Sequence, residues 1–195
     1  MKRIVLMALL ALALPMAAFA NSYTDYSNAA GTVTGSSAGL QLTGSTLVSV
    51  HPSGGTQIDG NLGTVTFMTG SYINTVGNNS YFNGGGNFTI TGNGSQGLPN
   101  GTIFSGAFTG QVTLTAVGNN GYDISGTIAG TLNGQAASGL VFQDYISSSA
   151  NGWMGPSTLT SGDAFISPVP EPGTLGLLGT GLVGLAGVVR RKLKA

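Results

Sequence analysis

Between residues 104 and 116, Phe104, Gly106, Phe108, Gly110, Val112, Leu114 and Ala116 take the even positions, and Ser105, Thr109, Gln111, Thr113 and Thr115 lie between them. A period of two is the spacing of a strand with one face buried and one in water. Residues 124–132 repeat it, with Ile124, Gly126, Ile128, Gly130 and Leu132 on one face and Ser125, Thr127, Ala129 and Thr131 on the other. The two stretches share the pattern Ser-Gly-x-φ-x-Gly-x-φ, where φ is apolar, starting at Ser105 and Ser125. Gly118-Asn119-Asn120-Gly121 between them is strong turn chemistry, so a long antiparallel hairpin is predicted.

Leu40-Leu42-Gly44-Thr46-Val48-Val50, Val65-Phe67, Phe88-Ile90 and Leu140-Phe142 alternate in the same sense, each pattern placing its apolar members inward. His51-Pro52-Ser53-Gly54-Gly55, Gly77-Asn78-Asn79 and Gly84-Gly85-Gly86 break the chain between them. Residues 147–161 read as a loop or linker containing Trp153, followed by a last short strand, 164–166. No stretch of this body carries a helical period, and an antiparallel sheet can leave one face solvated. The expectation is an all-β antiparallel sandwich or meander of about seven to ten strands, with a closed barrel as the alternative. Inward-facing Gly106, Gly110, Gly126 and Gly130 weaken strands unless neighbours cover them, and Phe104, Phe108 and Tyr122 are at hand to do so.

Charge sharpens the division of the chain. Its formal net charge is zero, from six basic and six acidic residues. All six basic residues, Lys2, Arg3, Arg190, Arg191, Lys192 and Lys194, lie near the ends. Residues 21–168 hold Asp25, Asp59, Asp123, Asp144 and Asp163 and no Lys or Arg, so this body carries −5. Binding to nucleic acid works through Lys and Arg on phosphate, which excludes it as a partner of the body. The absence of cysteine excludes thiol catalysis, disulfides and thiolate metal sites.

The ends read as addresses. Lys2 and Arg3 precede an apolar run to Leu14, Pro15 breaks it, and Ala18 and Ala20 supply the small residues that a signal peptidase reads. Residues 1–20 are therefore predicted to be a signal helix cleaved after Ala20. At the other end, Val169-Pro170-Glu171-Pro172-Gly173 leads into the uncharged run Thr174 to Val189 and then Arg190, Arg191 and Lys192. As a helix that run spans roughly 24 Å at 1.5 Å per residue, enough to cross a bilayer with some thinning. The basic cluster would stay cytoplasmic and the body outside.

Pro170, Glu171 and Pro172, a Leu/Gly-rich apolar helix and a terminal Arg-Arg-Lys cluster, in that order, resemble the PEP-CTERM sorting signal of Gram-negative bacteria. The resemblance covers residues 169–195 and implies processing by an exosortase, a membrane cysteine protease. In that family the Pro-Glu-Pro motif is recognised, the helix is removed and the body passes to the cell surface or exterior. Its setting is exopolysaccharide-producing, biofilm-forming cells.

Candidate chemistry in the body is thin. It has one His, five Asp and no Glu. His51, followed by Pro52 and Gly54, reads as a turn residue before it reads as a catalytic base. One imidazole cannot make a zinc site. Asp123 and Asp144 could flank a glycosidic bond if a fold set them at the right separation. Asp59-Gly60-Asn61 reads as a turn rather than a calcium loop. Tyr23, Tyr26, Tyr81 and Trp153 could stack on sugar rings, and an aromatic residue of this kind is as readily part of a core. The expected function is a non-enzymatic, cofactor-free surface or extracellular protein, structural or adhesive in an exopolysaccharide matrix. A carbohydrate-binding module and a secreted polysaccharide hydrolase are the alternatives.

Overall fold

A computed structural model of the chain describes residues 23–149 and 152–169, together with Gly181. The signal residues Ala18 and Ala20, the motif Pro170 to Pro172, the basic Arg190 to Lys192 and all but Gly181 of the run Thr174 to Val189 lie outside them. The body is one compact unit, Tyr23–Pro168. In chain order its strands are β1 (Thr24–Ala29), β2 (Thr32–Ser36), β3 (Gly39–Pro52), β4 (Ile58–Met68), β5 (Tyr72–Val76) and β6 (Asn79–Phe82). There follow β7 (Gly85–Asn93), β8 (Asn100–Phe108), β9 (Val112–Val117), β10 (Gly121–Leu132), β11 (Gln135–Ser147) and β12 (Gly155–Pro168). A single 3-10 turn, Ser95–Gly97, is the one short helical element among the described residues of the body.

The sheet closes on itself as an eight-strand antiparallel barrel. β11 pairs with both β10 and β12, which completes the ring that a sandwich or meander would leave open. β1 and β2 form one stave interrupted at Ala30-Gly31, because both pair with β12 on one side and with β3 on the other. Closure satisfies the backbone of both terminal strands, which would otherwise be long open edges. The local alternation predicts the strands; which first and last strands meet depends on pairing across the whole chain.

The predicted hairpin is present. β8 and β9 run as one interrupted strand along β10, with Phe108 opposite Ile128 and Leu114 opposite Ile124. The even-numbered face points inward, burying Phe104, Phe108, Val112, Leu114, Ile124 and Ile128. Aromatic residues cover two of the four inward glycines: a Cβ on Gly126 would lie 2.9 Å from Phe108 Cδ1, and one on Gly106 would lie 2.9 Å from Phe104 Cζ, whereas Gly110 has only Thr127 Oγ1 nearby, at 3.7 Å, and Gly130 meets the Ser105 and Gly106 backbone. Gly106 and Gly130 stand opposite each other, where the strands pass too closely for side chains. Phe67, Phe88 and Phe108 form the centre of the core, Phe67 and Phe88 stacked at 6.2 Å and Phe108 edge-on to both.

Three expectations are corrected. The even phase of β3 holds for Leu40 and Leu42, then shifts so that Ser45 and Leu47 are buried, and returns at Val50. Gly44, at φ +68, supplies the left-handed residue at the first shift, where β3 gains one extra residue against β4. Residues 147–161 are mostly strand, since β11 runs to Ser147 and β12 starts at Gly155, so the short strand 164–166 is the end of a much longer one. Leu140 and Phe142 face outward; Val141, Gln143 and Tyr145 point into the barrel instead.

Gln143 is one member of a polar link inside the barrel. Its Nε2 donates to Asn28 Oδ1 at 3.0 Å, and Asn28 Nδ2 donates back to Gln143 Oε1 at 2.9 Å. Asn28 Nδ2 also donates to Ser45 Oγ at 2.9 Å, and that hydroxyl donates to the Ala29 carbonyl at 3.1 Å. The link ties β1, β3 and β11 together, and glycine at 162 makes room for it, since a Cβ there would collide with the Gln143 amide. Truncating one amide strands the other in a buried site, which costs about 1–3 kcal/mol. Gln143→Leu is therefore expected to destabilise the protein by that amount in urea denaturation, and Asn28→Leu/Gln143→Leu to recover part of it. A double variant no more stable than the single one would contradict the pairing.

Candidate ligand-binding face

The outward turn of Leu140 and Phe142 creates the most distinctive surface of the barrel. Leu140 stands opposite Phe165 of β12 and Thr127 of β10, while Phe142 stands opposite Asp163 and Ser125. Tyr23, just ahead of β1, meets the Phe165 ring edge-on at 5.5 Å, and Phe142 meets it at 6.2 Å. Tyr23, Leu140 and Phe142 remain 47%, 47% and 45% exposed, far from the core. The residues thus form an apolar ridge across β10, β11 and β12 and the start of β1.

Shallow grooves flank the ridge. One, of about 670 Å³, is lined by the four apolar side chains together with Thr109, Thr127, Ser138 and Ser167. The other, of about 300 Å³, lies along Leu140 and Phe142 and is bordered by Gln111, Thr113, Ser125 and Thr127. Apolar rings beside a border of hydroxyl and amide groups suit a ligand that is itself apolar on one face and hydroxylated at its edges.

Four of the five aspartates surround this face. Asp25 is opposite Phe165, and Asp163 is opposite Phe142. Burial, and then the Asp163 carboxylate, push Asp25 above the usual carboxylate range, with His51 acting the other way; its Oδ1 is buried without a hydrogen-bond partner. His51 lies in strand β3 opposite Asp25, not in the turn that follows. Asp123 and Asp144 are direct cross-strand partners, and Ser161 Oγ donates to Asp144 Oδ2 at 3.3 Å. Partial desolvation, and then the neighbouring Asp144 carboxyl, raise the Asp123 pKa. The fold therefore does bring this pair together, side by side across β10 and β11.

The other candidates scatter. Asp59, Gly60 and Asn61 are part of β4, not of a turn. The Gln57 amide, donating to Asp59 Oδ1 at 2.8 Å, and the Ser49 hydroxyl hold the Asp59 carboxyl below its usual range. No group of three His, Cys, Asp or Glu that could hold a metal occurs among the described residues. Tyr26 is core. Trp153 packs on Tyr72 at 5.3 Å and on Phe82 at 5.1 Å, closing one part of the interior rather than offering a ring to a ligand. Tyr81 is half-buried on β6, away from the ridge. Of the aromatics singled out by sequence, Tyr23 alone joins this face. Leu140, Phe142 and Phe165 were hidden because Leu140-Val141-Phe142 is apolar in both phases. That doubling is itself the signal: in a body without helices to cover the outer face, one phase must be exposed.

Residues 168–192 match the family model of the PEP-CTERM protein-sorting motif. The chain carries a PEP-CTERM sorting motif. The motif marks the protein for export and for exosortase-dependent, membrane-associated sorting toward the cell surface. No curated protein and no solved structure matches the chain. Among the described residues no helix is long and apolar enough to cross a membrane, and the run Thr174 to Val189 falls outside them apart from Gly181.

The aspartate pair has a stability consequence. A carboxyl whose pKa is higher in the folded chain than in the unfolded one favours folding while protonated. Its contribution is present below the unfolded pKa and is lost as pH rises through the folded value. Asp123→Asn removes that loss. The variant is expected to exceed the native protein in stability at pH 7, by no more than about 1 kcal/mol for so exposed a pair, and to match it near pH 3. Thermal denaturation across that range checks the sign, and a variant less stable than the native protein at pH 7 would overturn it.

Proposed function

We propose that the mature protein is a non-catalytic, cofactor-free surface or extracellular barrel that adheres to exopolysaccharide through the ridge of Tyr23, Leu140, Phe142 and Phe165. The observation that carries this reading is the exposure of Tyr23, Leu140 and Phe142 around the half-buried Phe165, beside two open grooves with hydroxyl borders. Pyranose rings have apolar C–H faces that stack on such side chains and equatorial hydroxyls that reach Ser and Thr at the edges. Asp25, Asp123, Asp144 and Asp163 around the ridge repel uronates and sulfated sugars, so the polymer is neutral or amino-bearing.

Delivery follows from the two ends of the chain. A signal peptidase cleaves after Ala20, the run Thr174 to Val189 holds the protein transiently in the inner membrane with Arg190, Arg191 and Lys192 cytoplasmic, and an exosortase acts at Pro170 to Pro172. The sorting motif supports this route, and the body's charge of −5, free of Lys and Arg, supports a chain that stays soluble outside the cell.

Affinity electrophoresis in gels containing a neutral glucan, a chitosan or an alginate tests the ligand. Retardation is expected in the first or second and not in alginate. Tyr23→Ala and Phe142→Ser should each weaken it by up to roughly tenfold, the scale of one lost ring contact. Equal mobility of native and variant proteins in every gel would remove the polysaccharide reading. Intact mass tests the delivery: surface protein should lack residues 1–20 and Thr174 to Ala195, and recovery of a surface form retaining that tail would sink it.

A further inference from the structure

Barrel closure leaves one strand exposed at its edge. Among the described residues every strand but β5 has ladder partners on both sides, whereas β5 pairs with β6 alone. β9, β6 and β5 extend from the wall of the barrel as a flap, because β8 and β9 share one edge of β10 and β9 then carries β6 and β5 onward. The first residue of the flap edge is occupied: Tyr72 N–H donates to the Ser37 carbonyl at 3.1 Å. From there to Val76 the edge is open.

This edge lacks most of the devices that keep strands apart. It carries no Lys, no Pro and no carboxylate, and Ile73 and Val76 are 42% and 62% exposed on it. A register shift between Tyr72 and Asn74 and the strand's length of five residues are its protective features. Thr75 is fixed by the Tyr72 hydroxyl at 2.9 Å and by Ser80 Oγ at 2.7 Å, so the strand is ordered before anything binds it.

We propose that a second copy of this chain pairs with β5, edge to edge, to make a two-fold dimer. Charge selects this occupant. Two bodies of −5 repel, yet residues 60–122 contain no charged side chain, so two flaps meet without opposing carboxylates. Geometry sets the stoichiometry: antiparallel pairing of β5 with its own copy is isologous and consumes both open edges, which gives a closed pair and no fibre. Each dimer then presents two ridges, and a polymer-binding protein with two faces cross-links chains that a single face would only coat. The dimer itself does not depend on what the ridge binds.

Sedimentation equilibrium of the processed protein, purified from culture, tests this directly. The native form is expected to be a monomer–dimer mixture with a dissociation constant on the order of 10–100 µM, as suits a small interface. Ile73→Lys/Val76→Lys should be monomeric throughout, with an unchanged far-ultraviolet spectrum and melting point. Leu140→Ser/Phe142→Ser should dimerise like the native protein. A native protein monomeric above several hundred micromolar, a dimer that survives the β5 variant, or a dimer lost only in the ridge variant would each overturn the proposal.

Discussion

The stave formed by β1 and β2 must bond β12 along one edge and β3 along the other, and the rest of the architecture depends on that double pairing. Without it the sheet is an open band with two long edges, in a body that has no Lys or Arg and one aspartate on each of β1 and β12 to protect them. The amide link makes the seam specific. Asn28 of β1 reaches Ser45 of β3 and Gln143 of β11, three strands that sequence separates widely. An apolar core tolerates a slip of two residues in strand register, because every second side chain is still apolar. Reciprocal amide bonds do not, since a slip leaves four buried polar atoms without partners.

Closure also decides which surfaces are free. Once the inner face of each strand is committed to filling the barrel, a strand apolar in both phases has to show one of them to solvent. β11 is that strand: Val141 and Tyr145 fill the interior, and Leu140 and Phe142 are displaced outward, where Phe165 and Tyr23 gather beside them. The same closure leaves β5, which no stave needs, with a bare edge. The ridge and the edge thus share one cause, since both are what remains after a single ring of hydrogen bonds has been completed.

Much of this was legible in the residues. The period of two around Phe108 and Ile128, the Gly-Asn-Asn-Gly turn and the aromatic cover over Gly106 and Gly126 are local consequences of side-chain size and turn chemistry, and local signals survive folding unchanged. The phase of β3 was not, because Gly44 looks the same in sequence whether it continues a strand or bulges it, and its φ of +68 is set by the pairing with β4. Nor was the sense of β11, where hydropathy alone favours Leu140 and Phe142 inward, and the buried Gln143 becomes intelligible only beside Asn28. Barrel and sandwich use the same alternating strands, and the contact between β1 and β12 joins residues from opposite ends of the body.

The position of the ridge links the body to its addresses. Tyr23 and Ser167 line the same groove, so both ends of the described body lie beside the proposed binding face. Cleavage after Ala20 would leave two residues ahead of Tyr23, and the Pro-Glu-Pro motif begins two residues after Pro168. Processing at these two proposed places would therefore trim the chain at the margin of the face rather than at a remote loop, because Tyr23 and Ser167, at the two ends of the described body, both line that groove.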